Sequence, residues 1–443
     1  MMGNRYDRYK DSGIAWIGEI PEHWCLALVK AIFNRRTKKN NPILTEERLS
    51  LSIEKGVTLY SEKTTNLDRF KEDFTQYQIA YPNDIVLNSM NMIVGAIGIS
   101  HYLGCVSPVY YVITPKDKNI NVKYYGYLLN NFRIRNLYHA LGEGIYAIDR
   151  GEGRINTCRL KVSYDKFGSI IIPIPSINEQ QSIAAYLDQK CGEIDELITL
   201  QEEMITKLQS YKQSVITEAV TKGLDKNVPL KDSGIEWIGE IPEHWEVVDL
   251  RHLCKKITDG SHFSPQITDE GGFYITVSNV FDDKIHFENA HKISIKDFNT
   301  LITNGCQPPI GSVLLTKDGT VGRTAVVTDN NFVVLSSLAI LSLKSNILAE
   351  YVKYVLDSET LQEQMKLLMA GSALRRITLN KIYTLKMIYA PSSFEQQAIA
   401  DYLDQKCSEI DELISIKQQK IEKLKEYKKS LIFECVTGKR KVS

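Results

Sequence analysis

Two stretches of the chain repeat hydrophobic residues at the spacing of a helical seam, and they are near copies of each other. The first opens EQQSIAAYLDQKCGEIDELI at 179–198 and the second EQQAIADYLDQKCSEIDELI at 395–414, a shift of 216 residues. Leu187, Ile194, Ile198, Ile205, Leu208 and Val215 mark heptad positions in the first copy. Leu403, Ile410, Ile414, Ile421, Leu424 and Leu431 mark the same positions in the second. Polar Gln201 and Lys417 interrupt one beat of each stripe. A seam held for about four heptads reads as a coiled coil. Gly192 is the only Gly or Pro in either run, so each predicts one helix of roughly 40 residues and about 60 Å. Two matching helices in one chain are expected to pair with each other.

A second repeat stands at the head of each half: KDSGIAWIGEIPEHW at 10–24 returns as KDSGIEWIGEIPEHW at 231–245, differing only at Ala15 against Glu236. Between these matching ends, 25–177 and 246–393 are similar in length and different in sequence. Both alternate short apolar runs with one longer helical pattern. In the first, 84–90, 92–100 and 109–114 read as strands and 121–141 as helix. In the second, 273–280, 311–316, 323–328 and 338–343 read as strands and 349–369 as helix. Each ends in a strand (169–175, 385–391) that closes on Pro just before the long helix, a natural boundary because the residue before Pro avoids the helical region.

The predicted class is α+β. Two mixed α/β domains with their lead segments (1–177 and 224–393) alternate with two long helices (178–223 and 394–443). Only the short link 223–231, spanning at most about 30 Å when extended, joins the first helix to the second lead segment. It favours antiparallel helices forming an intramolecular coiled coil with pseudo-two-fold character.

Composition narrows the function. The chain has 443 residues, 43% of them apolar, and a formal net charge of zero. Residues 1–177 carry 23 Lys and Arg against 17 Asp and Glu, 178–222 carry 4 against 8, 223–393 carry 17 against 20, and 394–443 carry 10 against 9. A stand-alone DNA binder shows a clearer basic excess. The start, MMGNRYDRYKDSG, is too polar for a secretory signal, and no apolar run approaches the length of a membrane span. Eight scattered Cys with no CxxC argue against a disulfide framework or zinc site, with a reducing cytoplasm as the simplest setting.

No catalytic constellation stands out. There is no P-loop, HExxH, GxSxG or Asn/Asp-Pro-Pro-aromatic tetrapeptide, and the GxG pairs at 142–144 and 151–153 read as loop hinges. His23 and His244, beside Trp24 and Trp245, read as packing or capping residues. No catalytic residue, metal or cofactor is assigned to this chain. Candidates for DNA contact are more numerous. In the first domain they are Arg35, Arg36 and Lys38, then Asn88 and Asn91 in NSMNM, then Arg150 and Arg154. In the second they are Ser261 and His262 in TDGSHFSP, Lys317, Thr320 and Arg323 in TKDGTVGR, and Arg375 and Arg376. Arg pairs two hydrogen bonds with a guanine edge and Asn with adenine, while Lys, Ser and Thr suit phosphates. The plainer readings are an ordinary hairpin turn at Asp318-Gly319 and a solvated surface for the Arg pairs.

Taken together, two dissimilar domains, each introduced by IPEHW and each leading into EQQxIAxYLDQKCxEIDELI, resemble the specificity subunit of type I restriction–modification enzymes over essentially the whole chain. TDGSHFSP and KDGTVGRTAVV also look like parts of the family's target-recognition domains. NSMNMIVGAIGIS at 88–100 stands where LTKDGTVGRTAVV stands at 315–327, without the Asp-Gly-Thr. The resemblance implies a non-catalytic subunit in which each domain reads half of an asymmetric site on double-stranded DNA and the helices set the gap. It also implies docking of two modification (methyltransferase) subunits on the helices, with the seam residues as candidates, and of restriction subunits. S-adenosylmethionine, ATP and Mg2+ would sit on those partners. The alternatives are a coiled-coil scaffold that bridges two proteins without DNA, and a self-contained nuclease or methyltransferase, which would need a cofactor motif.

Overall fold

A computed structural model of the chain describes residues 5–63, 73–145, 159–369 and 375–442. The chain forms two compact units, one of Met1–Gln201 with Gln419–Ser443, the other Glu202–Gln418. The two heptad stretches are single helices, Ile177–Lys222 and Ser393–Val436, starting just after Pro175 and Pro391. Each unit holds the first part of one helix and the last part of the other.

Within each unit these helix segments run antiparallel. In the first, Glu179 at the start of its helix binds Trp24 (3.0 Å), and a Cβ on Gly438, just past the end of the second helix, would lie 3.1 Å from the same indole. Further along, Asp195 pairs with Lys428 at 2.6 Å. The second unit repeats the scheme: Glu395 binds Trp245 (3.4 Å), Gly223 abuts that indole, and Lys212 pairs with Asp411 at 2.8 Å. All twelve seam residues are buried or half-buried, as a heptad stripe facing a partner helix requires.

The centre of each variable domain is a four-stranded antiparallel sheet with one topology. In the first unit the spatial order is Phe33–Arg36, Tyr110–Pro115, Ile85–Asn88, Ile97–Ile99; in the second it is Cys254–Asp259, Leu338–Leu343, Val313–Thr316, Thr324–Val326. The third strand, IVLN or VLLT, is buried along its whole length, which accounts for an unbroken apolar run in place of alternation. Helices cover the sheet through Tyr124, Tyr125, Leu128 and Leu129 in one core and Tyr351, Val352, Val355 and Leu356 in the other.

The helical stretches expected at 121–141 and 349–369 are each two helices. They are Val122–Asn130 and Phe132–Leu141, and Ala349–Asp357 and Glu359–Met369. The breaks fall at residues whose short polar side chains compete with the helical backbone. Asn131 accepts from the amides of Arg133 and Ile134 and donates to the carbonyl of Leu128. Ser358 donates to the Val355 carbonyl at 2.6 Å and accepts from the Leu361 amide at 3.4 Å.

The lead repeats are hairpins, Tyr9–Asp11 with Glu19–Pro21 and Leu230–Asp232 with Glu240–Pro242, each ending in a fully buried Trp24 or Trp245. The strands inserted around the central sheets differ between the domains. The second unit has a mixed sheet of Ile267–Thr268, His291–Ile293, Gly272–Ile275 and Phe332–Val334, the last two parallel. The first has two separate antiparallel pairs, Leu49–Ser52 with Gly56–Leu59 and Gln78–Ala80 with Gly104–Val106. One of the GxG pairs is not a hinge: Glu143–Ile145 is a strand paired with Arg159–Lys161.

Candidate nucleic-acid interface

The hairpin of each central sheet turns at the same end, and backbone bonds put the two turns in register. Thr316 N donates to Arg323 O (2.9 Å) and Ile377 N to Lys317 O (2.8 Å); Asn88 N donates to Ala96 O (3.0 Å) and Val162 N to Ser89 O (3.1 Å). Ser89 therefore stands where Lys317 stands, and Ala96 where Arg323 stands.

In the second domain this end gathers several of the predicted residues into one charged chain. Lys317, whose side chain is only 5% exposed, lies 3.4 Å from Asp259 and 3.5 Å from Asp318. Asp259 also meets His262 (3.1 Å), and Asp318 takes Arg376 Nε (2.9 Å). Gly319, at φ +73°, makes the turn, and its amide donates to the Arg375 carbonyl at 3.0 Å. A buried ammonium needs such counter-charges, so Lys317 organises the turn and offers no free ammonium to a phosphate, contrary to the expectation. Ser261 is likewise internal: it is 3% exposed, and its hydroxyl closes a local turn with the amide and carbonyl of Phe263. That turn leaves Phe263 exposed. His262, Thr320, Arg323, Arg375 and Arg376 are exposed, with one N–H of Arg323 spent on the Val280 carbonyl at 3.3 Å.

The first domain offers different groups at its turn. Asn88 is 8% exposed and accepts from the Met90 amide (3.1 Å), so it shapes the turn and is not a free reader. Met90, Asn91 and Val94 are exposed. Arg36 is less free than expected: its Nε and Nη2 bind the buried Asp84 (2.8 and 3.1 Å) over the Tyr81 ring, which occupies one of the two edges of its guanidinium. Arg35 is held between the rings of Tyr111 and Tyr164, at 4.9 and 4.8 Å, with its side chain at the surface. Lys38 is exposed. Arg150 and Arg154 lie outside the described residues.

These two sheet ends sit inside a repeat that known proteins share. A family model for the type I restriction modification DNA specificity domain matches residues 25–209 and again 242–426. The chain belongs to this specificity family. It is similar to the putative type I restriction enzyme MjaX specificity subunit of Methanocaldococcus jannaschii, 26% identical over 450 residues that cover 96% of each chain. The MjaVIII specificity subunit of the same organism is 27% identical over 287 residues, covering 62% of this chain and 63% of that one. Among solved structures, a chain of a type I restriction–modification system superposes with a TM-score of 0.69 at 16% identity, covering 94% of this chain and 98% of that one. The HsdS subunit from Thermoanaerobacter tengcongensis gives 0.50, also at 16% identity, over 95% and 98%.

As a specificity protein the chain recognises DNA through its two domains and is not the catalytic component of its system. Among the described residues no group of three or more His, Cys, Asp or Glu is placed to hold a metal, and no helix is long and apolar enough to cross a membrane.

The specificity repeat also contains a junction that the sequence displayed without revealing its use. Glu179 accepts from Trp24 Nε1 (3.0 Å), meets His23 Nε2 (2.9 Å), and takes the hydroxyl and amide of Ser176 (2.8 and 3.1 Å). Partial burial pushes its pKa up, but the hydrogen bonds from Trp24, His23 and Ser176 outweigh this and hold it down at about 2. Gln180, 1% exposed, accepts from the Asn121 amide (2.8 Å) and donates to the Pro175 carbonyl (2.9 Å). Glu395 with His244 and Trp245, and Gln396 with Leu348 and Ala390, repeat both contacts. The Glu-Gln of each helix thus fastens the lead hairpin on one side and the domain's helical layer on the other. The signal was the co-repetition of EHW and EQQ.

The seam residues have little surface to give a partner. Leu187, Ile194 and Leu431 belong to the first core, Val215 and Leu403 to the second, and Ile410 and Ile421 are buried as well. Ile198, Ile205, Leu208, Ile414 and Leu424 are half-buried. Of the two polar residues that interrupt the stripes, Gln201 is 5% exposed and Lys417 is half-buried.

Proposed function

We propose that this chain is the DNA-reading subunit of a type I restriction–modification complex, each domain reading one half of a bipartite, asymmetric site. The observation that carries this reading is one sheet topology with two surface chemistries. At equivalent turns the second domain offers His262, Thr320, Arg323, Arg375 and Arg376, and the first offers Met90, Asn91 and Val94, with Arg35 and Lys38 exposed in the same domain. Charged forks favour guanine edges, and amides with apolar groups favour adenine and the thymine methyl. Near-zero net charge is consistent with partners that share the grip on the backbone.

The partners in this proposal are two modification subunits, with restriction subunits joining for cleavage. S-adenosylmethionine, ATP and Mg2+ belong to those subunits, and the complex works in the cytoplasm. Docking falls on apolar side chains that the seam leaves outside. Leu197, Leu200 and Tyr211 are exposed on the first helix, and Leu413, Ile416 and Tyr427 repeat them at the same shift of 216 on the second. A duplicated surface suits two copies of one partner.

Selection from a random duplex pool, with the chain alone and with its co-expressed methyltransferase, tests the reading. Enrichment of a split sequence that matches the methylated positions in the genome is the expected result. If neither condition enriches any sequence, the DNA reading fails and a protein-bridging scaffold takes its place.

A further inference from the structure

The second unit contains a groove of about 550 Å³ whose lining includes none of the candidate DNA-contact residues. Three elements line it: the last turns of the first long helix, the lead hairpin, and the helix Glu359–Met369. Its walls carry Glu218, Glu359 and Glu363 against a single cation, Lys222, with the exposed indole of Trp237 at the rim. Glu363 pairs with Lys366 on its own helix. Glu218 and Glu359 have no ion-pair partner among the described residues. A further polar group opens here: Thr360 is 6% exposed, lines the groove, and its hydroxyl has no hydrogen-bond partner among the described residues.

The same place in the first unit is filled from within the chain, and its filling indicates what the groove accepts. Phe132 opens its helix after Asn131 as Glu359 does after Ser358, and Glu434 stands at the repeat position of Glu218. There Phe433 meets Phe132 edge-on at 5.7 Å, and the Arg133 guanidinium lies over both rings. Arg440, from the segment that follows the second helix, binds Glu434 at 2.8 Å, and Lys439 lies over Phe433 at 5.5 Å. In the second unit the residues after the helix are Gly223, Leu224 and Asp225, which supply no such cations. The carboxylate is kept and its internal basic partner is missing.

We infer that this groove is a docking site for a basic polypeptide segment of a protein partner, an Arg or Lys side chain meeting Glu218 and Glu359 beside the Trp237 indole. A guanidinium gains charge-assisted hydrogen bonds from the carboxylates and a cation–π contact from the indole. The excess of carboxylate repels a nucleic-acid backbone. Because the first unit satisfies its own site, the surface breaks the pseudo-equivalence of the halves, and the segment binds one of the two.

The test uses the purified full chain and an acetylated, amidated Gly-Lys-Arg-Lys-Val peptide, the sequence of residues 438–442. Titration is expected to change tryptophan emission saturably and less strongly as salt rises. Trp237→Phe should remove the change, and the Glu218→Gln/Glu359→Gln pair should weaken binding about tenfold with an unaltered melting curve. Should the double variant melt early, Glu359→Gln alone replaces it, with a loss of about threefold expected. The proposal is overturned if the peptide leaves emission unchanged, if the change survives Trp237→Phe, or if the Gln variants bind as wild type does. Equal binding of a peptide with Asp at the three basic positions, or of a random 20-base-pair duplex, overturns it too.

Discussion

Glu179 shows how one carboxylate can hold several parts of a domain together. Its oxygens receive an indole N–H, an imidazole, a hydroxyl and a backbone amide, and a carboxylate so served favours its charged form. With its folded pKa at about 2, below the ordinary Glu value of about 4.3, the linkage has a definite sign. The stabilisation is complete above the ordinary value and is lost as pH falls towards 2. Glu179→Gln should therefore cost about 1–2 kcal/mol at pH 7, and the gap to wild type should narrow as pH drops below about 4. Urea unfolding at several pH values measures this, and a gap independent of pH would show that the charge is not what the junction uses.

At the level of elements, the ends of the long helices are fixed as firmly as their seams. Both close on a glycine in the left-handed region, Gly223 at φ +73° and Gly438 at φ +75°, where a side chain costs about 1 kcal/mol. Their surroundings differ. A Cβ at Gly223 would meet Trp245 at 3.4 Å, an ordinary contact, whereas at Gly438 it would lie 2.3 Å from Pro21 Cδ. Gly223→Ala should cost about 1 kcal/mol and Gly438→Ala about 2–3 kcal/mol, compared by denaturant midpoints; equal losses would mean that the lead hairpin gives way easily. The helices are also the proposed ruler. Removing one heptad from each shortens them by about 10 Å, about three base pairs. The expected outcome is an altered gap between half-sites with both half-sites intact, read by mapping methylated positions in cells carrying the variant.

For the molecule as a whole, duplication with divergence is the governing feature. Junctions, helix starts and sheet order are repeated, whereas the turns that face outward are not. Arg323→Ala should relax recognition in one half-site only, with about 1–3 kcal/mol lost for the preferred base there, since Ala96 already fills the equivalent place in the other domain. Relaxation in both half-sites would mean that the domains do not read independently. Among the described residues no such run of ion pairs surrounds Ser89, so one topology carries two surface chemistries, as the proposed asymmetric site requires.

Periodicity alone determined the long helices, because a heptad stripe free of Pro constrains both conformation and partner. The two repeats determined the halves, and the closing prolines the helix starts. Asn131 and Ser358 divided the helical layers through side-chain caps that compete locally with the helix, a signal present in the residues but weaker than the apolar pattern around it. Which polar residues remain free was decided only by tertiary structure. Arg36 and Lys317 read as surface cations, yet Asp84 for one and Asp259 for the other are brought to them from distant parts of the chain, and only Asp318 is a sequence neighbour. Burial of a charge depends on such distant partners, and no local pattern records them. The same reason hid the role of Glu179: its indole partner lies 155 residues away, and only the folded chain brings Trp24 to it.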